Sequence, residues 1–341
     1  MNRAAAHGRN RVGIDNYGLF PLGLSPLDTL GWAVAHHAEG VAFSGLQPEY
    51  QAALDAASLA RLKGCAEERG LYLEWGGAQH VPRDLVTWAP KDIVEANRTA
   101  IAQAVALGTR VVRSCSGGLM RWHDEAPSTE TLLRETARAL RGQAAMWRDA
   151  GVTLAIETHF EFTSHELRRL LEMCEAPPGG WLGICLDTMN LLTMLEEPVA
   201  ATRRLLPWVV STHIKDGAVL LGAEGFTTFT RPIGEGVIDL PEILRLVASL
   251  DRPVHLSVED HGGSFPLPVF DPTFLSKFPD LTVQEFARLA SLAERTGRRP
   301  ACQPLPREDW PAVAEGRMAA NLTALAALAQ RARPPADGRV G

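Results

Sequence analysis

The sequence predicts an α/β fold, a single (β/α)8 TIM barrel with a C-terminal helical extension. Three observations carry this expectation. Eight short apolar runs, RVGIDNY, GVAFSG, LYLEWGG, TRVVRSC, VTLAIET, LGICLD, VVSTHIKD and VHLSVED, are each long enough for a buried strand. Amphipathic stretches such as PEYQAALDAASLARLKGCAEERG and STETLLRETARALRGQAAMWRDAG separate them, and strand–helix alternation implies right-handed βαβ units in a parallel sheet. No compositional break marks a second domain, and a chain of 341 residues fits one barrel.

In chain order, residues 1–10 are basic and lack an apolar h-region, so they read as a flexible arm rather than a signal peptide. The barrel then occupies residues 11–332. Asp15 and Tyr17 share one face at the first strand and are placed to reach substrate. His36 and His37, before the second strand, read as helix-surface or satisfied core residues. Ser128 opens a helix as its N-cap, and Gly70, Gly108 and Gly151 each close one just before a strand. SFPLPVFDPTFLSKFPD, at about residues 264–280, is too long for a simple connection. A lid over the site and a surface or subunit contact are equally good readings of it. REDWPAVAEGRMAANLTALAALAQRA reads as an extra amphipathic helix that closes the barrel, and residues 333–341 as a disordered tail.

An apolar fraction of 46% with 22% charged residues is that of a soluble globular enzyme. Net charge is −6 and no Lys/Arg block stands out, which argues against a nucleic-acid groove. No run approaches the ~20 apolar residues of a membrane helix. The five cysteines are odd in number, dispersed and never in a CxxC pair, as expected of thiols in a reducing cytoplasm.

The chemistry lies at the strand ends. Glu157 in VTLAIETH, Asp187 in LGICLDTMN, His213 in VVSTHIKDG and Glu259 in VHLSVED each end an apolar run and precede a polar turn. Three carboxylates and an imidazole on four successive strands suggest one divalent-cation site at the barrel mouth. Buried charges at strand ends are costly unless paired or metal-bound, which favours this reading over four separate caps. Alternate strand residues share a face, so Glu157 with His159, His213 with Lys215, and Glu259 with His261 point to one region. Mn²⁺ is the expected ion, with Mg²⁺, Co²⁺ or Zn²⁺ as the other candidates. Such an ion, chelating a carbonyl and adjacent hydroxyl, acidifies the carbon-bound proton between them and stabilises an enediolate. One glutamate can then remove that proton and the other return it.

The Glu157, Asp187, His213 and Glu259 series, with HIKDG and PIGEGVID, resembles the xylose-isomerase-like barrel superfamily. Its members include ketose 3-epimerases, hydroxypyruvate isomerase, inosose dehydratase, dehydroshikimate dehydratase and the apurinic endonucleases. The resemblance runs from about Val12 to Asp260. It implies that the four residues hold one ion and that Glu157 and Glu259 act as an acid/base pair on opposite faces of the substrate. It also implies a homo-oligomer, as is common in such barrels. The chain departs from the epimerase pattern, carrying Asn190 in DTMN and Lys215 and Asp216 in HIKDG where epimerases usually have His and Arg.

The leading expectation is a metal-dependent isomerase or epimerase of a small keto-sugar or polyol. Lys215 and His159 join the glutamates as catalytic candidates. As proton donors they also suit the alternative, a lyase (dehydratase, decarboxylase or eliminase) on a keto-sugar or keto-acid. Arg113, Asn190, His261, Arg231, His80 and Trp75 are the candidate substrate-binding residues, with Trp122 also considered. Gly234 and Gly236 read as turn geometry rather than a phosphate loop. A nuclease on this barrel would need three zinc ions, more histidine ligands and a basic surface. A non-catalytic sugar-binding barrel would need no facing glutamates. Neither a nucleic acid nor a membrane is expected as partner.

Overall fold

Every expected run forms a strand, and the computed structural model describes residues 9–298 and 302–332. The strands are β1 (Val12–Asp15), β2 (Gly40–Phe43), β3 (Tyr72–Ala78), β4 (Val111–Ser114), β5 (Thr153–Glu157), β6 (Leu182–Asp187), β7 (Val209–Ile214), β8 (Asp216–Leu221), β9 (Phe226–Arg231), β10 (Leu256–Val258) and β11 (Ser264–Leu267). Eight of them close a barrel in the order β1-β10-β7-β6-β5-β4-β3-β2, each pair parallel. A parallel barrel needs strands apolar on both faces, and β6 answers with LGICLD, buried at every position.

Register explains how the ligands come together. Glu157 pairs with Cys185, two residues before Asp187. Asp187 pairs with His213, and His213 with Ser257, two residues before Glu259. The stagger of a tilted barrel thus carries the four side chains around one rim.

Helices fill the crossovers much as their punctuation predicts. The Ser128 side chain accepts the Thr131 N–H at 3.3 Å and opens Thr129–Ala150, which ends at Gly151 with φ 64°. The last helix, Trp310–Ala332, starts three residues later than the sequence suggested, with Pro311 in its first turn. That leaves Arg307 in the preceding turn. The helix packs against β1 and β10 with Met318 and Leu325 fully buried. Burying such a side chain contributes roughly 1.5–3 kcal/mol. Gly18 makes room for it: a Cβ there would stand 2.3 Å from the Met318 sulfur.

The antiparallel sheet β11-β9-β8 was not anticipated. The sequence suggests a polar turn after His213 and a long loop at about residues 264–280. Its first part, β11, instead pairs along β9 from Ser264↔Phe229 to Leu267↔Phe226. Pro266 is tolerated because β11 is an edge strand. Of the expected N-terminal arm only residues 9 and 10 are described, and the expected tail at 333–341 lies outside the described residues. No described helix is long and apolar enough to cross a membrane.

Candidate metal centre and active site

Glu157, Asp187, His213 and Glu259 meet at the carboxyl end of the barrel, each offering a ligand atom within 4.8 Å of the others. All four are buried, none more than 5% exposed. His213 Nδ1 lies 2.7 Å from Glu259 Oε2 and 3.4 Å from Glu157 Oε1. Yet His213 Nδ1, Glu259 Oε2 and Asp187 Oδ2 make no aligned hydrogen bond. Buried polar atoms that crowd together without pointing at one another are costly unless something sits between them. The donor set, three carboxylates and one imidazole, fits a divalent ion such as Mn²⁺, Mg²⁺, Co²⁺ or Zn²⁺.

The surroundings orient this set. Asp15, expected to reach substrate, stands behind His213 with its Oδ2 3.4 Å from Nε2. It is fully buried, held by the Tyr17 N–H at 2.8 Å and by the Ser44 hydroxyl. The Asp15–His213 contact is not an aligned hydrogen bond, and the opposite ring nitrogen, Nδ1, is the one that faces the glutamates. Asp187 Oδ1 accepts the N–H groups of Met189 and Asn190, both at 3.0 Å, leaving Oδ2 for the centre. The Arg113 Nε donates to Glu157 Oε2 at 2.6 Å, and the Asn190 amide to Oε1 at 3.4 Å. Lys215 Nζ stands 2.8 Å from Asp187 Oδ2 and 3.1 Å from Glu259 Oε1.

These neighbours set the charges. Burial pushes the Glu157 and Glu259 carboxyls up, but Arg113 and His213 for the first, and Lys215 and His213 for the second, hold both well below the usual range. Burial dominates at Asp187, which is pushed up to about 6 against the pull of Lys215. Burial disfavours the Lys215 ammonium as well, yet Asp187 and Glu259 keep it protonated.

A cavity of about 690 Å³ opens onto the cluster, within the range of small-molecule sites. Of the candidate residues, Glu157, Glu259, Lys215, His159, Arg113, Asn190 and His261 line it. His159 Nδ1 contacts Glu161 at 3.0 Å, and Glu161 in turn contacts His80 Nε2 at 2.9 Å. Burial works against a charge on His159, but Cys115 and Glu161 hold it well above the usual imidazole range. His261, by contrast, is pushed down to about 3 by burial and by nearby Lys215.

Three candidates lie elsewhere. His80 is fully buried behind Glu161, with its Nδ1 2.8 Å from the Ser114 hydroxyl, so it does not border the cavity. Trp75 donates its indole N–H to Gln103 at 2.9 Å and faces a separate groove. Arg231 pairs with Glu235 at 2.8 Å on the hairpin. In each case a nearer partner has taken the polar group. Trp122 also stands apart, donating to the Pro266 carbonyl at 2.8 Å. Gly234 and Gly236 wrap their N–H groups around buried Asp216 at 2.9 and 3.0 Å. A Cβ on Gly236 would stand 1.9 Å from that carboxylate, so glycine there is geometry.

Sequence reasoning missed Glu161, Cys115, Phe160, Phe265 and Arg307. Glu161 was findable, since it continues the 157, 159, 161 alternation of β5. Phe265 lies on β11, and Cys115, Phe160 and Arg307 sit on connections whose paths only the tertiary structure defines.

The family profile described as xylose isomerase-like TIM barrel matches residues 30–272. The chain is 25% identical over 213 residues to the 3-oxo-isoapionate decarboxylase of Pectobacterium atrosepticum (strain SCRI 1043), covering 61% of this chain and 68% of that one. It is 27% identical over 128 residues to the uncharacterised protein YihM of Escherichia coli K12, where the match spans 36% of each chain. An L-ribulose 3-epimerase structure superposes with TM-score 0.62 at 20% identity, covering 97% of this chain and 99% of the other. The IOLI protein with a bound zinc atom gives TM-score 0.55 at 14% identity, covering 84% and 98%. At such identities the structural likenesses establish the fold alone.

Proposed function

Starting from a chain that belongs to the xylose isomerase-like TIM barrel family, we propose that it is a divalent-metal-dependent isomerase or epimerase of a small keto-sugar or polyol. One observation carries this: Glu157 and Glu259 both border the cavity and both contact His213 Nδ1. They therefore flank a single centre that a substrate can reach. An ion held there by Glu157, Asp187, His213 and Glu259 supplies Lewis acidity toward a hydroxy-ketone. Mn²⁺ suits this donor set best.

The chain's own residues do the proton work. Both glutamates are ionised and so ready to accept a proton. One takes the proton from the carbon beside the carbonyl, leaving its electron pair in the enediolate. That glutamate, now protonated, returns the proton to the neighbouring carbon for isomerisation; for epimerisation Glu259 delivers to the opposite face a proton it first takes from the Lys215 ammonium 3.1 Å away. Arg113 and Asn190 hold Glu157 in place, and Lys215 holds Glu259.

Lys215 also supports a second reading, a lyase on a keto-sugar or keto-acid. An ammonium 3.1 Å from Glu259 Oε1 can protonate the enolate left when carbon dioxide departs, or the hydroxide as an enediolate expels it. The aligned relative named a decarboxylase favours the same outcome. Incubation of the Mn²⁺-loaded protein in D2O with neutral ketoses and with 3-keto acids separates the two. Deuterium gain without loss of carbon identifies an isomerase or epimerase. Release of carbon dioxide or water identifies a lyase. Neither change on either panel, with the ion bound, would overturn both.

A further inference from the structure

The cavity that opens onto the cluster carries a cation of a different kind. Arg307 lines the cavity from the turn before the last helix, outside the matched residues 30–272. Its guanidinium stacks 4.4 Å from the Trp310 ring centre and 5.7 Å from that of Tyr17. Nη2 donates to the Tyr17 hydroxyl at 2.6 Å and Nη1 to the Gly262 carbonyl at 3.2 Å. A guanidinium has five N–H donors, so these bonds fix its plane and leave others for a ligand.

The cavity's inner cations are committed. Arg113 pairs with Glu157, Lys215 with Asp187 and Glu259, and His159 with Glu161. Among the described residues, no carboxylate forms an ion pair with Arg307. Stacking on Trp310 and capping Gly262 would alone explain an arginine here. They do not explain its position on the cavity wall, beside a tyrosine hydroxyl still able to donate. A planar guanidinium held by aromatic faces is well suited to receive a carboxylate or phosphate.

We infer that Arg307, with the Tyr17 hydroxyl, binds an anionic group of a substrate held in this cavity. The substrate is therefore a polyhydroxylated keto compound bearing a carboxylate or phosphate, and Arg307 selects it over a neutral sugar. This rests on the reading of the cluster as the reacting centre.

Calorimetric titration tests it with three unreactive probes, arabinitol, arabinonate and arabinitol 5-phosphate. The full-length protein is used with Mn²⁺ and again with a chelator. A charged hydrogen-bond pair should make at least one anionic probe bind about tenfold tighter than arabinitol. Arg307→Met should remove that advantage and leave arabinitol affinity and Mn²⁺ stoichiometry unchanged. Arg307→Lys should keep part of it, and unchanged thermal melts show that both variants fold. Preference for arabinonate identifies the group as a carboxylate, and preference for the phosphate as a phosphoryl group. Equal binding of all three probes, or a preference that survives Arg307→Met, overturns the inference. Absence of bound Mn²⁺ instead sinks the metal-centred reading, and the Arg307-dependent preference can still be measured under chelator.

Discussion

The two walls of the cavity are built in opposite ways. The inner wall takes its metal-type ligands from the ends of four adjacent barrel strands, each placed by register. The outer wall gathers Tyr17 from the first crossover, Phe265 from β11 and Arg307 from the approach to the last helix. Chemistry here is encoded in short local segments, whereas recognition is assembled from distant ones. The difference teaches where substitutions should act: on the inner wall they change what the site can hold, on the outer wall how well it fits.

The largest effect should come from Asp187→Asn. It removes one of three carboxylates from a site with no water-exposed alternative. Metal content measured by mass spectrometry should fall from one ion per chain to near none, with turnover reduced by at least about 10²-fold. Full metal occupancy in this variant would break the contrast between the walls.

Lys215→Met comes next. Without the ammonium, the metal-free protein holds uncompensated buried carboxylates, a loss on the order of 3–5 kcal/mol. Added Mn²⁺ supplies positive charge at the same place, so denaturant midpoints should recover largely with the ion and poorly with a chelator. Equal loss under both conditions would mean that Lys215 stabilises the fold independently of the centre.

The anchor of the last helix, outside the cavity lining, should respond more gently. Arg317 makes two bonds to buried Asp260, at 2.7 and 2.8 Å, and Asn321 adds a third at 3.0 Å. Arg317→Ala should cost roughly 2–4 kcal/mol in urea unfolding while metal stoichiometry holds. Loss of the ion would show that the last helix is needed to seat Glu259.

The smallest effect concerns acid. Burial opposes the charge on Glu161, but His159 and His80 hold its pKa down to about 2. A depressed carboxyl contributes stability above its unfolded value near 4.5, and that contribution is lost as pH falls from there toward 2. The stability difference between wild type and Glu161→Gln should therefore narrow over that window. A constant difference would place the pairing energy elsewhere.

What could be read in the sequence follows the same division. The eight barrel strands were legible because a strand buried on both faces must be an uninterrupted apolar run, as in LGICLD. The Glu157, Asp187, His213 and Glu259 cluster was legible because its residues sit where such runs end. The hairpin β8–β9 was not, although FTTFTR carries β-branched and aromatic residues. It begins within HIKDG, at Asp216, where a polar turn was expected, and that concealed the strand. His80 and Trp75 were misplaced for a related reason: residue type suggests a sugar pocket, but a neighbour's carboxylate or amide decides which way the side chain turns. Arg307 gave no local signal at all.

The reach of the last helix has a consequence for how the protein is made. Trp32 bonds Glu315 at 3.2 Å, Asp260 bonds Arg317 and Asn321, and Tyr17 bonds Arg307. Each of these residues thus waits for a partner that lies 57 to 290 residues later in the chain. During synthesis the barrel strands emerge in order, and the ligand set is complete once Glu259 has left the ribosome. A chain stalled between residues 260 and 307 therefore carries all four candidate ligands but lacks Arg307 and the last helix, so the cavity over them is missing one side.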